Sequence, residues 1–246
     1  MTDHVLLSSV FRRQLSRRDT LALLGKSAVC LVTAGLWPRV AGAAGPDPLC
    51  VVRPTQTEGP YFVDEQLNRS DIRSDPSGGA IKTGTPLSLT VAASRLGGGA
   101  CHPLEGAHVD IWHCDATGLY SDVKDPRFNT TGQQFLRGYQ LTDAKGEARF
   151  LTIYPGWYEG RTVHIHVKVR ANPKDRRGYE FTSQMYFDDA LTDRVYAAAP
   201  YAARGPRTAR NHDDFIFRRG GNRLMLDPTQ TADGYAATFA VGLQMP

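Results

Sequence analysis

The 246-residue chain carries 29 Lys and Arg against 25 Asp and Glu, with 41% hydrophobic and 22% charged residues. Such a composition supports one large all-β domain or two smaller domains and excludes a disordered chain. Six of the basic and two of the acidic residues fall in the first 43, so the remainder holds 23 of each. It therefore has no net field to attract nucleic acid or a membrane surface.

Arg12, Arg13, Arg17 and Arg18 precede a mildly apolar run from Leu21 to Trp37, and Ala41-Gly42-Ala43 follows as a small-residue cleavage site. The run contains Lys26 and is too short and weakly apolar for a stable span. Ser16-Arg17-Arg18-Asp19-Thr20-Leu21 has the form of a twin-arginine signal, with Thr20 where Phe is usual. The expectation is a signal peptide over 1–43, one domain over 44–246, export to the periplasm or beyond, and no stable membrane insertion afterwards. Cys30 leaves with the signal; Cys50, Cys101 and Cys114 remain. An oxidising compartment favours one disulfide and one free thiol among them. The turn at Pro103–Gly106 puts Cys101 and Cys114 at opposite ends of the next strand, so that pair is not the obvious one, and the pairing stays open.

Past residue 44, Pro and Gly punctuate short β-rich runs. Strands are expected over Pro86–Ser94, Ala107–Cys114, Phe135–Leu141, Glu147–Tyr154, Arg161–Arg170 and Thr182–Phe187. Asp143-Ala144-Lys145-Gly146 reads as the turn of a hairpin joining the third and fourth runs. Gly97-Gly98-Gly99 reads as a flexible connection. One short helix fits Ala190–Ala199, the segment from Gly45 to Asp75 is expected to wrap over the strands, and Tyr235–Leu243 closes the chain as strand. The fold class is all-β, an antiparallel sandwich with long loops and little helix.

The densest chemistry lies in Arg161-Thr162-Val163-His164-Ile165-His166-Val167-Lys168-Val169-Arg170. Strict alternation puts Val163, Ile165, Val167 and Val169 on one face and His164 and His166 on the other. Two imidazoles two residues apart on a strand can clip one metal ion, while a merely solvated polar face would look the same. Tyr158 follows a Pro155-Gly156 turn just upstream, and Tyr120 follows another turn, Asp115–Gly118. Each tyrosine alone reads as packing with a hydrogen-bonded tip. Two phenolates joined to two imidazoles select a hard, highly charged ion such as iron(III). His102, His108, His113 and His212 read as structural or exposed, and Asp188-Asp189 and Asp213-Asp214 as solvated loop charges. Arg53, Arg73 and Lys168 are candidates to meet a substrate carboxylate.

Thr57-Glu58-Gly59-Pro60-Tyr61, Asp110-Ile111-Trp112 with Gly118-Leu119-Tyr120, Tyr158 through Arg161 to His164-Ile165-His166, and Gln184-Met185-Tyr186-Phe187 resemble the intradiol ring-cleavage dioxygenases. The resemblance covers roughly Cys50 to Val241. It implies a sandwich that holds Fe(3+) through Tyr120, Tyr158, His164 and His166, with Arg161 and Gln184 beside the substrate. The implied reaction opens a catechol-type ring between its hydroxyls with O2, giving a muconate-type diacid. Two features depart from the family pattern. The long N-terminal helical segment of members that act on simple catechols is not visible, and Trp157 stands where protocatechuate-type members carry Pro.

A rival reading keeps the sandwich but makes it an exported binding module, with Trp112, Trp157 and the tyrosines as a platform for sugars or aromatic fragments. Against it stands the full Tyr, Tyr, His, His, Arg set, for which a binding module has no use. A cupin-type iron site would need a carboxylate a few residues after His166, where there is none, and no Gly-x-Ser-x-Gly element marks a hydrolase.

Overall fold

A computed structural model describes residues 50–171 and 178–245; the expected signal segment over 1–43 lies outside the described residues. The elements run β1 (Pro86–Gly97), β2 (Ala100–Pro103), β3 (His108–Trp112), β4 (Lys124–Asp125), β5 (Phe128–Asn129), β6 (Arg137–Leu141), β7 (Glu147–Ile153), β8 (His164–Arg170), β9 (Glu180–Tyr186), α1 (Asp189–Tyr196), β10 (Thr229–Gln230) and β11 (Tyr235–Leu243). One sheet has the order β6-β3-β8-β9. The other is centred on β1, with β11 on one side and both β7 and β2 on the other.

Period-two alternation builds the core between them. Leu87, Leu89 and Val91 of β1, Phe150 of β7, and Phe239 and Val241 of β11 face Val109 and Ile111 of β3 and Ile165, Val167 and Val169 of β8, all buried. Burying each large apolar side chain contributes about 1.5–3 kcal/mol. β1 and β11 pair in parallel over nine residues, because β11 returns by a long excursion instead of a tight turn.

Two local expectations fail. β6 and β7 do not form a hairpin: β6 pairs with β3, and β7 pairs with β1 in the opposite sheet. The Asp143–Gly146 turn is real, with the Gly146 N–H donating to the Asp143 carbonyl at 2.8 Å, but it carries the chain across the sandwich. Turn chemistry reports a reversal of direction and not which sheet receives the next strand. The Gly97–Gly99 stretch is the tight end of a β1–β2 hairpin, with Gly98 and Gly99 at positive φ.

The helix α1 starts at Asp188, whose carboxylate accepts the Leu191 N–H at 2.9 Å. The segment after Cys50 does wrap the sandwich. Gly242 donates to the Val51 carbonyl and Gln56 to that of Thr182, and further bridges join Asn68 to Tyr139 and Asp71 to Leu151. Cys50 is bonded to Cys101 on β2 with a Cα–Cα distance of 5.8 Å, leaving Cys114 buried and free.

The bridge closes a loop across a sequence separation of 51, and loop-closure entropy then favours the folded state by about 3–4 kcal/mol. Replacing Cys50 and Cys101 together by Ala should lower the denaturant midpoint accordingly in equilibrium unfolding. An unchanged midpoint would show that the bridge does not restrain the unfolded chain.

Candidate metal centre

The site forms on the outer face of β8, and strand register explains which side chains meet there. In the sheet, His166 stands opposite Trp112 of β3 and Gln184 of β9, and His164 stands opposite Tyr186. Cross-strand partners share a face, so this group is brought together by backbone pairing alone. The face is not solvated: His164 is 2% and His166 1% exposed. Trp112 stacks on His166 with centroids 4.8 Å apart and planes 8° from parallel. The Thr57–Tyr61 segment covers the other side, tied down where Gln184 Nε2 donates to the Thr57 carbonyl at 3.0 Å. Gly59, at φ +75, lies so close that an added Cβ would meet His166 Cε1 at 3.3 Å. A side chain there would be strained by both conformation and contact.

Two loops deliver the tyrosines. Asp115 organises the first: its Oδ1 accepts the N–H groups of Thr117 at 2.9 Å and Leu119 at 3.1 Å, and its Oδ2 pairs with Lys82 at 3.0 Å. This Asx turn sends Tyr120 inward, where it packs on Tyr61 at 4.7 Å and is 1% exposed. The second loop, Pro155 to Tyr158, runs against the first, Cys114 Sγ donating to the Gly156 carbonyl at 3.3 Å.

The four donor atoms converge. His164 Nε2 lies 3.1 Å from His166 Nε2, 3.2 Å from Tyr158 Oη and 3.4 Å from Tyr120 Oη. Atoms bound about 2.0–2.1 Å from a shared ion stand roughly 3.0–3.4 Å apart. His164 Nδ1 must donate to the Thr162 carbonyl at 2.7 Å, which leaves its Nε2 lone pair aimed at the centre. Burial holds both imidazoles well below their ordinary pKa, with the Arg161 charge adding to the effect, so they are neutral. Burial likewise pushes both phenols up, so the pocket makes phenolates only if a cation compensates them. Among the described residues no cluster of three His, Cys, Asp or Glu is placed to hold a metal, and the phenols complete the set. Two anionic oxygens and two neutral nitrogens fit a trivalent ion.

Arg161 stands beside this group. Its Nη1 is 3.3 Å from Tyr158 Oη, and its Nη2 donates to Gln184 Oε1. Its Nε pairs at 2.8 Å with Asp214, which is fully buried. Asp214 also accepts the N–H groups of Thr162 at 3.0 Å and Ile216 at 2.7 Å. The expectation that Asp214 is a solvated loop charge is therefore wrong, although Asp213 beside it is exposed. The apolar run next to it gave no signal of this, since Phe215 is exposed and Ile216 and Phe217 are only half-buried. Tyr186 and Gln56 extend the network: Tyr186 Oη bonds to Gln184 Oε1 at 2.9 Å and Gln56 Oε1 at 2.7 Å.

The other candidates lie elsewhere. His108 bonds to Asp110 at 3.2 Å, His113 accepts from Thr152 at 2.6 Å, and His102 and His212 are exposed. Asp189 is engaged by Arg207. Arg53 bonds to the Ala240 carbonyl, Arg73 pairs with Asp71, and Lys168 pairs with Glu58 and Glu180. None of these three lines the cleft of about 300 Å³ that opens beside Tyr158, where Tyr61, Leu119, Arg127, Trp157, Glu159 and Arg204 form the walls.

Comparison with known proteins agrees with this geometry. Residues 57–211 match a family model described as Dioxygenase. The beta chain of protocatechuate 3,4-dioxygenase from Burkholderia cepacia is 32% identical over 75% of this chain and 76% of its own length. Catechol 1,2-dioxygenase from Acinetobacter baylyi is 29% identical over 73% of this chain and 54% of its own. An intradiol ring-cleavage dioxygenase from Tetranychus urticae superimposes with a TM-score of 0.68 at 28% identity, covering 79% of this chain and 95% of the other. With two sheets, a tyrosine-histidine cluster and these relatives in agreement, the chain belongs to the intradiol ring-cleavage dioxygenases.

Proposed function

We propose that this protein is an exported iron(III) enzyme that uses O2 to open a catechol-type ring between its two hydroxyls, producing a muconate-type diacid. The observation that carries the reading is that Tyr120 Oη, Tyr158 Oη and His166 Nε2 all lie 3.1–3.4 Å from His164 Nε2. Tyr120, Tyr158, His164 and His166 would hold the ion. Bound there, ferric iron supplies a Lewis acid and template for the two catechol oxygens.

The remaining work falls to the chain's own residues. The cleft admits the ring from the side of Tyr158. Tyr158 is partly exposed and Tyr120 is buried, so Tyr158 is the phenol that meets the substrate and can take a proton from a catechol hydroxyl at its Oη. Arg161, fixed by Asp214 and Gln184, offers a stationary positive charge where negative charge gathers on the ring, without reorganisation at the moment of reaction. The Thr57–Tyr61 cover and the Trp112 stack keep water from the histidines. Export rests on residues 1–43, and the Cys50–Cys101 bridge suits an oxidising compartment.

Iron-loaded protein should be red to burgundy from tyrosinate-to-iron charge transfer. Tyr158→Phe should shift that band and impair iron retention or turnover; a wild-type spectrum and rate in this variant would refute its role as a ligand. Arg161→Ala should keep the metal while kcat, read by oxygen uptake, falls about 10²–10³-fold. Loss of iron at unchanged activity per iron would contradict that role. Asp214→Asn should retain the coloured band yet lose roughly 10–100-fold in rate. An undiminished rate would mean that Arg161 needs no fixed partner.

A further inference from the structure

Arg204 is an exposed cation that lines the cleft beside Tyr158 and forms no ion pair among the described residues. The Arg204 guanidinium lies over Trp157, 4.4 Å from the ring centroid, a stacking that leaves its N–H edge free. The arrangement is held from below. Gly118, at φ +84, lies under the guanidinium, and a Cβ there would run into both Arg204 and the Trp157 carbonyl. Arg204 thus sits across the two loops that carry Tyr120 and Tyr158, on the same cleft wall as Tyr158. Arg127, the other cation of this cleft, is already paired with Asp125 at 3.0 Å, and Glu159, an exposed wall residue, pairs with neither.

We infer that Arg204, seated on Trp157, is a specificity-determining residue that takes a carboxylate carried on the substrate's side arm. The enzyme then prefers anionic, arm-bearing catechols to neutral ones, an assignment that rests on the ring-opening reading above. A cleft of about 300 Å³ is at the lower bound of small-molecule sites and exceeds the needs of an unsubstituted ring.

The test is calorimetric titration of the iron-loaded protein, without oxygen, using 3,4-dihydroxybenzoate, 3,4-dihydroxyphenylacetate and 3-(3,4-dihydroxyphenyl)propanoate, each beside its methyl ester. At least one acid should bind about tenfold more tightly than its ester, as a charge-assisted pair permits. That preference should weaken with added salt, fall to near unity in Arg204→Gln and persist in part in Arg204→Lys. Acids bound no better than esters, a preference indifferent to salt, or one retained in Arg204→Gln would overturn the assignment. Arg204-dependent preference without oxygen uptake in air would instead sink the ring-opening reading and leave the anion subsite standing.

Discussion

Everything at this site depends on β8 having two buried faces. A strand in a sandwich normally gives one side to the core and the other to water. Here Ile165, Val167 and Val169 fill the core while His164 and His166, on the reverse side, are as deeply buried as the valines. That burial keeps the imidazoles neutral and their lone pairs available. It requires a cover, which the chain supplies from far away in sequence, the Thr57–Tyr61 segment passing within van der Waals reach of His166 at Gly59.

The two halves of the donor set are held by different means. The histidines are placed by sheet register, which is rigid and cooperative. The tyrosines ride on loops, and those loops are stiffened by polar devices: the Asp115 turn, the Lys82 pair and the Thr130 hydroxyl donating to the Tyr120 carbonyl at 2.6 Å. The division suits a site where the nitrogens stay fixed and one oxygen, that of Tyr158 at the cleft, meets the incoming ring. Arg161 belongs to a third arrangement, a buried ion pair with Asp214. Removing one partner of such a pair strands a charge, at a cost of about 3–5 kcal/mol, so the pair constrains the loop from Arg210 to Phe217 as firmly as it orients the guanidinium.

Much of this was legible in the sequence because it follows from periodicity and local turn chemistry. The alternation of residues 161–170 defines β8 and its histidine face, and the Asp115–Gly118 and Pro155-Gly156 turns mark where the tyrosines emerge. Long-range pairing was not legible. Nothing local tells that β6 and β7 lie in opposite sheets, that β11 returns parallel to β1, or that Cys50 reaches Cys101. The role of Asp214 is hidden for the same reason: its neighbour Asp213 has the same side chain, and only the fold decides which of the two finds Arg161. The resemblance to a family supplied what spacing could not, namely which tyrosines accompany the histidine pair.

In the proposed centre two phenol oxygens and two imidazole nitrogens share one ferric ion. Crystals of the iron-loaded protein, measured at wavelengths on either side of the iron absorption edge, test it most directly. The account predicts a single anomalous peak bonded to Tyr120 Oη, Tyr158 Oη, His164 Nε2 and His166 Nε2. A peak held by the histidines with either tyrosine turned away, or a peak elsewhere in the molecule, would contradict it.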